Sequence, residues 1–471
     1  MNLNLTKCGL AASMAILSPF AVEAATKCEQ PNIIIILLDD LGSSDVGFGG
    51  CRDYQTPNID KIANNGVVCT NAYISAPFSG PSRCGLLTGR YQQRFGAETN
   101  TSDYLQSIKN REGVPFSEVI LSEELKKSGY QTCAIGKWHL GDHPDLWPNK
   151  RGFDYFYGFS VGSYNYWGYR ENETKAYIQE NGVEVPFSRN RYLTDDFSDK
   201  AVEYINGCDE QRPMFMYLAY NAPHAPLQAP QRYLDRTKHI YDAERSVYAA
   251  MVLAVDDGVG RVLEALEKRG MDDNTLIFFL SDNGGPADTG ADNIARAFKG
   301  NMFDGGIRTP FAMSWGKKIK SGKRYDEVIS ALDIYATCVE AANINIKECA
   351  NKLDGVNLLP YINGKKREAP HESLFWRVGN GFEYAVRKGD YKLVKTYYSD
   401  DYMLFNIAKD PMEINDIAKY NAKLVYELSA DYKRWNSEMI DGLWGTDGHE
   451  QNQRKDYKKW SEYRRRAAAG R

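Results

Sequence analysis

The sequence predicts an α/β protein with a large, mostly parallel sheet flanked by helices and a smaller C-terminal subdomain built on an antiparallel sheet. Two observations lead to this prediction. Continuous apolar, β-branched runs alternate with helical segments over most of the 471 residues, which is typical of a parallel sheet buried on both faces. From about residue 371 the chain changes to short alternating segments separated by Gly and Asp, which is typical of antiparallel strands.

Three apolar runs, at 32–38, 214–219 and 275–280, each predict a buried strand that ends in polar residues. The polar residues that follow the runs are Asp39 and Asp40, Asn221 and His224, and Asp282 and Asn283. Because parallel strands present their carboxyl ends at one edge of a sheet, we expect these side chains to gather there.

Helical segments lie between and after these runs. Ser122 is expected to cap a helix over 123–127, and apolar residues at helical spacing predict a longer helix over 248–268. A third, amphipathic helix is predicted over 424–439. Strands and helices that alternate in this way form the layers of an α/β fold.

The chain divides into three predicted parts: a signal peptide at 1–24, a catalytic α/β domain at 25–368 and a C-terminal subdomain at 369–471. Lys7 and the apolar run 10–22, followed by small residues, are typical of an export signal. The run is shorter than the roughly 20 residues that a spanning helix needs. We therefore expect a periplasmic or secreted protein without a membrane span.

Composition and cysteine content narrow the function classes. A net charge of -4 gives no basic field for nucleic acid, and 43% hydrophobic residues exclude disorder. The 12% aromatic content, with 31 Tyr, suits a sugar-binding cleft as well as an ordinary core. In an oxidising compartment the cysteines can form disulfides, and Cys338 with Cys349 is one candidate pair.

The basic tail from Arg454 predicts either a solvated helix or contact with an anionic polymer. The sequence leaves the oligomeric state open.

Four of the strand-end residues, Asp39, Asp40, Asp282 and Asn283, form a candidate metal site. Paired carboxylates at a strand end repel each other unless a cation lies between them. Oxygen ligands alone suit a hard divalent ion, Ca²⁺ or Mg²⁺, over zinc.

A second candidate is the segment SGPSRCGLLTGR at 79–90. Ser79, Gly80 and Pro81 predict a tight turn that runs into a helix, and Arg83 lies one turn further on. A helix N-terminus beside an arginine is suited to bind an anion. A plain capped helix remains the alternative.

Taken together, these segments resemble the formylglycine-dependent (type I) sulfatases of the alkaline phosphatase superfamily. The signature of that family is Cys or Ser, one residue, Pro-Ser-Arg and then Leu-Thr-Gly-Arg, which Ser79 to Arg90 match. Further matches follow in order: GKWHLG at 136–141, NAPHAP at 221–226, KG at 299–300, DGGIRTP at 304–310, LDG at 353–355 and YKLV at 391–394. The resemblance covers residues 31–416.

The resemblance implies the fold above and a role for each matching residue. It implies that Ser79 is oxidised to Cα-formylglycine by a maturase and ligates Ca²⁺ together with the four strand-end residues. The hydrated aldehyde attacks sulfur, and its second hydroxyl then expels sulfate. The residues implied in the remaining steps are Arg83, Lys137 and Lys299 on the sulfate, His224, alone or together with Lys299, as proton donor, and His139 as base.

Three positions depart from the family pattern. Ser stands at 79 where most members have Cys, which implies a Ser-type bacterial member with an anaerobic-type maturase. Gly80 and Cys84 stand where Ser or Thr and Ala or Ser are usual. Unmodified Ser79 would leave a nearly inactive protein.

The substrate is expected to be a sulfated polysaccharide or oligosaccharide. The aromatic stretch at 155–169 and Arg170, Arg189 and Arg191 suit sugar rings and further sulfates. Trp167, Arg170 and His143 are the candidate substrate residues. Two other interpretations remain open at this point: a phosphodiesterase or phosphonate hydrolase of the same superfamily, and a non-catalytic binder of sulfated glycans in which Ser79 stays unmodified.

Overall fold

A computed structural model of the protein describes residues 30–167, 176–186, 191–289, 295–396 and 401–445. Strands in these ranges form one large sheet and one small sheet. The strands are β1 (Asn32–Leu38), β2 (Val67–Tyr73), β3 (Gln131–Lys137), β4 (Tyr155–Phe159), β5 (Gln179–Glu180), β6 (Val183–Glu184), β7 (Met214–Ala219), β8 (Thr275–Ser281), β9 (Phe311–Ser314), β10 (Lys323–Ser330), β11 (Ser373–Val378), β12 (Glu383–Lys388), β13 (Tyr391–Lys395) and β14 (Met403–Asn406).

Along the chain, most α-helices come between strands of the large sheet, and one comes after the small sheet. They are α1 (Pro57–Asn64), α2 (Ser79–Thr88), α3 (Tyr104–Asn110), α4 (Leu121–Lys127), α5 (Leu193–Gly207), α6 (Gln231–Thr237), α7 (Ala243–Lys268), α8 (Asp304–Ile307), α9 (Asp333–Ala341), α10 (Leu359–Ile362) and α11 (Ala422–Asn436).

The large sheet has the strand order β10-β2-β9-β8-β1-β7-β3-β4-β5-β6, and the small sheet has the order β11-β12-β13-β14. The central strands β8, β1, β7, β3 and β4 pair parallel with one another, and β10 pairs parallel with β2. Strand β9 pairs antiparallel with both β2 and β8, and β5 and β6 extend the other edge by antiparallel pairing from β4. The small sheet is antiparallel throughout. The predicted fold class is therefore confirmed, with a mixed sheet that is parallel at its centre.

Strand β1 shows why the apolar runs are continuous. Ile33 and Ile35 pack into the core on one face of the sheet, and Ile34 and Ile36 pack into the core on the other. All four side chains are fully buried. A strand covered by helices on both faces needs apolar residues at every position, so alternation is absent.

The register of the central strands brings the polar residues to one edge. Strand β1 pairs with β7 up to Leu37 opposite Ala219, and with β8 up to Leu38 opposite Ser281. Because the three strands end at the same level, the residues that follow them meet above the sheet.

Three predicted helix starts were wrong, and among them α11 begins at Ala422, two residues before the predicted start at residue 424. Helix α4 begins at Leu121, so Ser122 lies inside the helix and does not cap it. The Ser122 hydroxyl donates to the Arg151 carbonyl, and Glu123 accepts from the Ile120 amide.

Helix α7 begins at Ala243, before the predicted start, because the Asp242 side chain accepts from the Arg245 amide and caps the helix. The start of α7 is thus set by a polar cap outside the apolar pattern, whereas the residue before α4, Ile120, makes no side-chain cap.

The small sheet packs against the large one through a shared core. Trp376 of β11 donates its ring N–H to the Ile74 carbonyl at 2.7 Å, and its ring lies 5.4 Å from Tyr73. The small sheet begins at Ser373, close to the predicted boundary at residue 369. That boundary stays a prediction, since the two sheets share one hydrophobic cluster.

Cysteines in the described ranges are all unpaired. The Cys338–Cys349 disulfide is therefore absent from this structure: Cys338 is buried within α9, whereas Cys349 lies in a partly exposed segment beyond it. No described helix is both long enough and apolar enough to cross a bilayer. The signal segment, Arg170, Arg189 and the basic tail lie outside the described residues.

His371 joins the start of the small sheet to the large one. Its Nε2 lies 2.8 Å from Asp333 Oδ1, and Asp333 also accepts from the Ser330 and Val356 amides. Burial acts to lower the pKa of His371, but the charge of Asp333, with help from Asp354, raises it above the ordinary value of 6.5.

We expect the stability of the protein to fall with rising pH because of this pair. A histidine whose pKa is raised in the folded state contributes fully below about pH 6.5, and the contribution is lost as pH rises through the folded pKa. His371→Gln should lose about 1.5–3 kcal/mol at pH 6 and less at pH 9. Chemical denaturation of both proteins across this range measures the difference. An equal loss at both pH values would contradict the assignment.

Candidate functional site

A cavity of about 390 Å³ opens at the edge where the central strands end. Ser79, Lys137, His139 and His224 line it, so four of the predicted catalytic residues meet there. The other residues that line it are Asn100, Thr101, Ser102, Asp103, Tyr104, Asp142, Val161, Gly162, Ser163 and Tyr164.

Ser79 is the first residue of α2 and is 1% exposed. Its hydroxyl lies 3.0 Å from Asp39 Oδ1 and 3.1 Å from Asn283 Oδ1. The segment folds this way because Phe78 is extended, Pro81 is tolerated in the first helical turn, and Gly89 ends the helix in a left-handed conformation.

Three buried or nearly buried cations pair with three carboxylates around Ser79. Lys137 Nζ lies 2.6 Å from Asp39 Oδ2, and Lys299 Nζ lies 2.6 Å from Asp40 Oδ1. One turn into α2, Arg83 approaches Asp282 Oδ2 to 2.7 Å. The predicted cationic residues and the predicted metal ligands thus lie in one cluster.

The predicted metal ligands supply oxygen atoms. Asp40 and Asp282 are linked through the Asp40 amide, which donates to Asp282 Oδ1 at 3.3 Å, and Asn283 Nδ2 donates to Asp40 Oδ1 at 2.7 Å. Ligand atoms of Asp39, Asp40 and His224 lie within 4.8 Å of one another. This oxygen-rich donor set fits a hard divalent cation such as Ca²⁺ or Mg²⁺.

Charge pairing sets the protonation of the acids. Burial acts to raise the pKa of Asp39, but Lys137, assisted by His224, outweighs it and lowers that pKa. Burial also acts to raise the pKa of Asp40, but the charge of Lys299 outweighs burial and lowers that pKa. Both carboxyls are therefore ionised at neutral pH, as ligands of a cation must be.

The two histidines both line the cavity but differ in their surroundings. His224 Nε2 lies 3.6 Å from Asp40 Oδ2, and its ring is partly exposed to the cavity. His139 is buried, and its Nδ1 has no hydrogen-bond partner among the described residues. Burial, reinforced by Lys137 and Arg83, holds the pKa of His139 well below 6.5, so this ring is neutral. A neutral imidazole can accept a proton.

Sequence reasoning missed residues on the cavity wall. Asn100 accepts the Gly80 amide with its side-chain oxygen at 2.8 Å, and a Cβ at position 80 would lie 3.1 Å from that oxygen. The departure from the family at position 80 thus leaves room for Asn100. Gly162 packs on His139, where a Cβ would lie 2.9 Å from Nε2. Both are loop residues in no recognisable motif, so no sequence signal pointed to them.

The candidate substrate residues lie elsewhere or outside the described ranges. His143 contacts Arg111 and Asp145 and is not among the residues that line the cavity. Trp167 packs on Tyr192 with ring centroids 5.4 Å apart. Arg191 pairs with Asp196. A substrate role for Trp167, His143 and Arg170 stays a prediction.

Comparison with known proteins identifies the family. Residues 31–344 match the sulfatase family, and residues 297–438 match the C-terminal region of N-sulphoglucosamine sulphohydrolase. The chain belongs to the sulfatase family. Sulfatases are sulfuric ester hydrolases, and the cluster of cations around Ser79 lies within the matched region.

Several sulfatases resemble the chain over most of its length. Mouse N-acetylgalactosamine-6-sulfatase is 33% identical over 80% of this chain and 74% of the mouse protein. The uncharacterised sulfatase YdeN of Escherichia coli is 31% identical over 85% of this chain and 84% of its own. The solved structure of Ps i-CgsB in complex with k-i-k-neocarrahexaose is 38% identical, has a TM-score of 0.82 and aligns over 91% of this chain and 98% of its own.

Proposed function

We propose that this sulfatase is exported and hydrolyses O-sulfate esters of a sulfated polysaccharide or oligosaccharide, with Ser79 oxidised to formylglycine. The observation that carries the proposal is the position of Ser79. Its hydroxyl is buried at the cavity between Asp39 and Asn283, and the cations Lys137 and Arg83 lie beside Asp39.

The cations are proposed to bind the sulfate group. Lys137 lines the cavity, and Lys137, Arg83 and Lys299 bring three positive charges to the carboxylates around Ser79. A sulfate monoester develops negative charge on the transferring group and on the leaving oxygen, and fixed cations in a partly dry site stabilise that charge. Ion pairs with the carboxylates hold these cations in place.

Proton transfer is proposed to involve the two histidines. His224, partly exposed at the cavity, is placed to give a proton to the leaving alkoxide when the S–O bond breaks. His139 is neutral and unpaired at Nδ1 among the described residues, so it would act as the base that accepts a proton from position 79 when the bond to sulfate breaks.

A divalent cation is proposed to occupy the oxygen donors of Asp39, Asp40, Asp282, Asn283 and residue 79. When bound, Ca²⁺ would act as a Lewis acid and neutralise charge at position 79. The chain's own contribution is a set of ionised carboxylates held at fixed positions by the ends of β1 and β8.

The proposed substrate class rests on the relatives. Mouse N-acetylgalactosamine-6-sulfatase is named for a sugar sulfate, and Ps i-CgsB was solved with a hexaose. Identities of 33% and 38% make a sulfated carbohydrate the best-supported class for this chain. Export, the maturase that modifies Ser79, and substrate contacts at Trp167, Arg170 and His143 belong to the same proposal.

The decisive test combines mass spectrometry with a substrate panel. Protein co-expressed with an anaerobic-type maturase should carry a Ser79 peptide lighter by about 2 Da, the mass of two hydrogens, and should release sulfate from sulfated oligosaccharides. Protein made without the maturase is the control and should be nearly inactive. Unmodified Ser79 with tight glycan binding would indicate a binder instead, and faster release of phosphate from aryl phosphates would indicate a phosphoester hydrolase.

A further inference from the structure

The turn that carries Asp40 adopts an unusual backbone conformation. Asp40 has a φ of 65°, in the left-handed region that residues with a Cβ rarely occupy. Its side chain meets Lys299, His224 and Asn283, so its direction matters for the whole cluster. A strained backbone persists only where the surrounding structure holds it.

Two buried hydroxyl groups, from different elements of the fold, contact the backbone of this turn. The hydroxyl of Tyr248, on α7, lies 2.9 Å from the Asp40 carbonyl oxygen and accepts from the Gly42 amide at 3.3 Å. The hydroxyl of Ser281, at the end of β8, accepts from the Leu41 amide at 2.9 Å. We call Tyr248 and Ser281 the hydroxyl brace. Both residues are fully buried, so water does not replace these contacts.

The position of Tyr248 is itself fixed. Its hydroxyl also lies 2.9 Å from Asp45 Oδ2, and Asp45 Oδ1 pairs with Arg245 at 2.7 Å. The Arg245 guanidinium lies 5.2 Å from the centre of the Tyr248 ring. The space is tight, because a Cβ at Gly42 would lie 2.6 Å from Asp45 Oδ2. None of these residues lines the cavity, so the brace acts behind the site.

We propose that the hydroxyl brace positions Asp40 and thereby sets the affinity of the site for its divalent cation. This inference rests on the proposed function, in which Asp40 is a metal ligand. Residues behind a metal site that orient its ligands commonly change metal affinity about 10–100-fold when they are replaced. Tyr248 and Ser281 are positioning residues, since neither touches the substrate.

The test measures Ca²⁺ binding directly, by calorimetric titration of chelator-treated full-length protein. Tyr248→Phe keeps the ring and removes only the hydroxyl, and Ser281→Ala removes the contact of the second hydroxyl. Tyr220→Phe is the matched control, because its buried hydroxyl contacts Ser198 and not the turn. We expect Kd to rise at least about tenfold in the first two variants and to stay unchanged in the control. Values of kcat at saturating Ca²⁺ should stay near wild type.

The possible outcomes separate the inference from the function on which it rests. A Kd within twofold of wild type in both brace variants would overturn the inference and leave the proposed function intact. An equal loss in Tyr220→Phe would also overturn it, because any buried hydroxyl would then have the same effect. If wild type bound neither Ca²⁺ nor Mg²⁺, the proposed metal site and the inference would fall together. Should Tyr248→Phe fail to fold, Ser281→Ala decides alone.

Discussion

Replacement of Ser79 by alanine should lower kcat by about 10⁴-fold or more, the scale of losing a catalytic nucleophile. The methyl group of alanine cannot be oxidised to an aldehyde by the reaction that converts a serine. The cations Arg83 and Lys137 and the fold should remain, because the change deletes one hydroxyl at the start of α2. Asp39 Oδ1 and Asn283 Oδ1 lose a donor, but both are proposed to face a cation.

The measurement is sulfate release from an aryl sulfate and from the best oligosaccharide, together with thermal unfolding. Ser198→Ala is a suitable control, because it deletes another buried hydroxyl, one that donates to the Thr194 carbonyl within α5. We expect the control to retain activity and both variants to unfold within a few degrees of wild type. Activity of Ser79→Ala above about 1% of wild type would contradict a role as nucleophile.

Much of the fold was predictable, because burial in a parallel sheet leaves a clear sequence pattern. The bounds predicted for β1 and β7 match the structure, and β8 is one residue longer than predicted. The apolar pattern did not predict the start of α7. That start depends on the Asp242 cap, which is a single side chain and leaves no periodicity in the sequence. Strand β14 was not predicted, because the four residues from Met403 are too few to show alternation.

The candidate site was predictable to the extent that its residues belong to motifs. Strand ends and family segments located Asp39, Ser79 and Lys299, and the structure brings them together. Asn100 could not be found, because its contact with Gly80 depends on how a loop crosses the N-terminus of α2. Tyr248 is similar: in the sequence it is one apolar position of a long helix, and only the fold brings its hydroxyl to the Asp40 turn.

The largest stability effect is expected from Lys392→Met, which breaks a fully buried ion cluster between the two sheets. Lys392 of β13 lies 2.6 Å from Asp304 Oδ1 and 2.9 Å from Glu413 Oε1, and all three side chains are fully buried. Removal of one partner from a buried ion pair leaves an uncompensated charge and typically costs about 3–5 kcal/mol. Asp304 belongs to the segment that carries Lys299, so the cluster also connects the small sheet to the site.

The pH dependence of this loss identifies its cause. Burial raises the pKa of Glu413 to about 7 even with Lys392 present, and without the ammonium both acids would take up protons more readily. The folded variant would then bind more protons than its unfolded chain, so its stability should rise as pH falls. Denaturation curves at pH 5 and pH 8 should show a smaller deficit at pH 5.

A second substitution tests whether the charge or the shape of Lys392 matters. Glu413→Gln added to Lys392→Met removes one of the two acids that have lost the lysine and should recover part of the lost stability. Lys61→Met is the surface control, because its partner Glu267 and Lys61 are both about half exposed, and such pairs contribute little. If Lys392→Met were as stable as this control at pH 8, the buried cluster would not be what holds the small sheet against the large one.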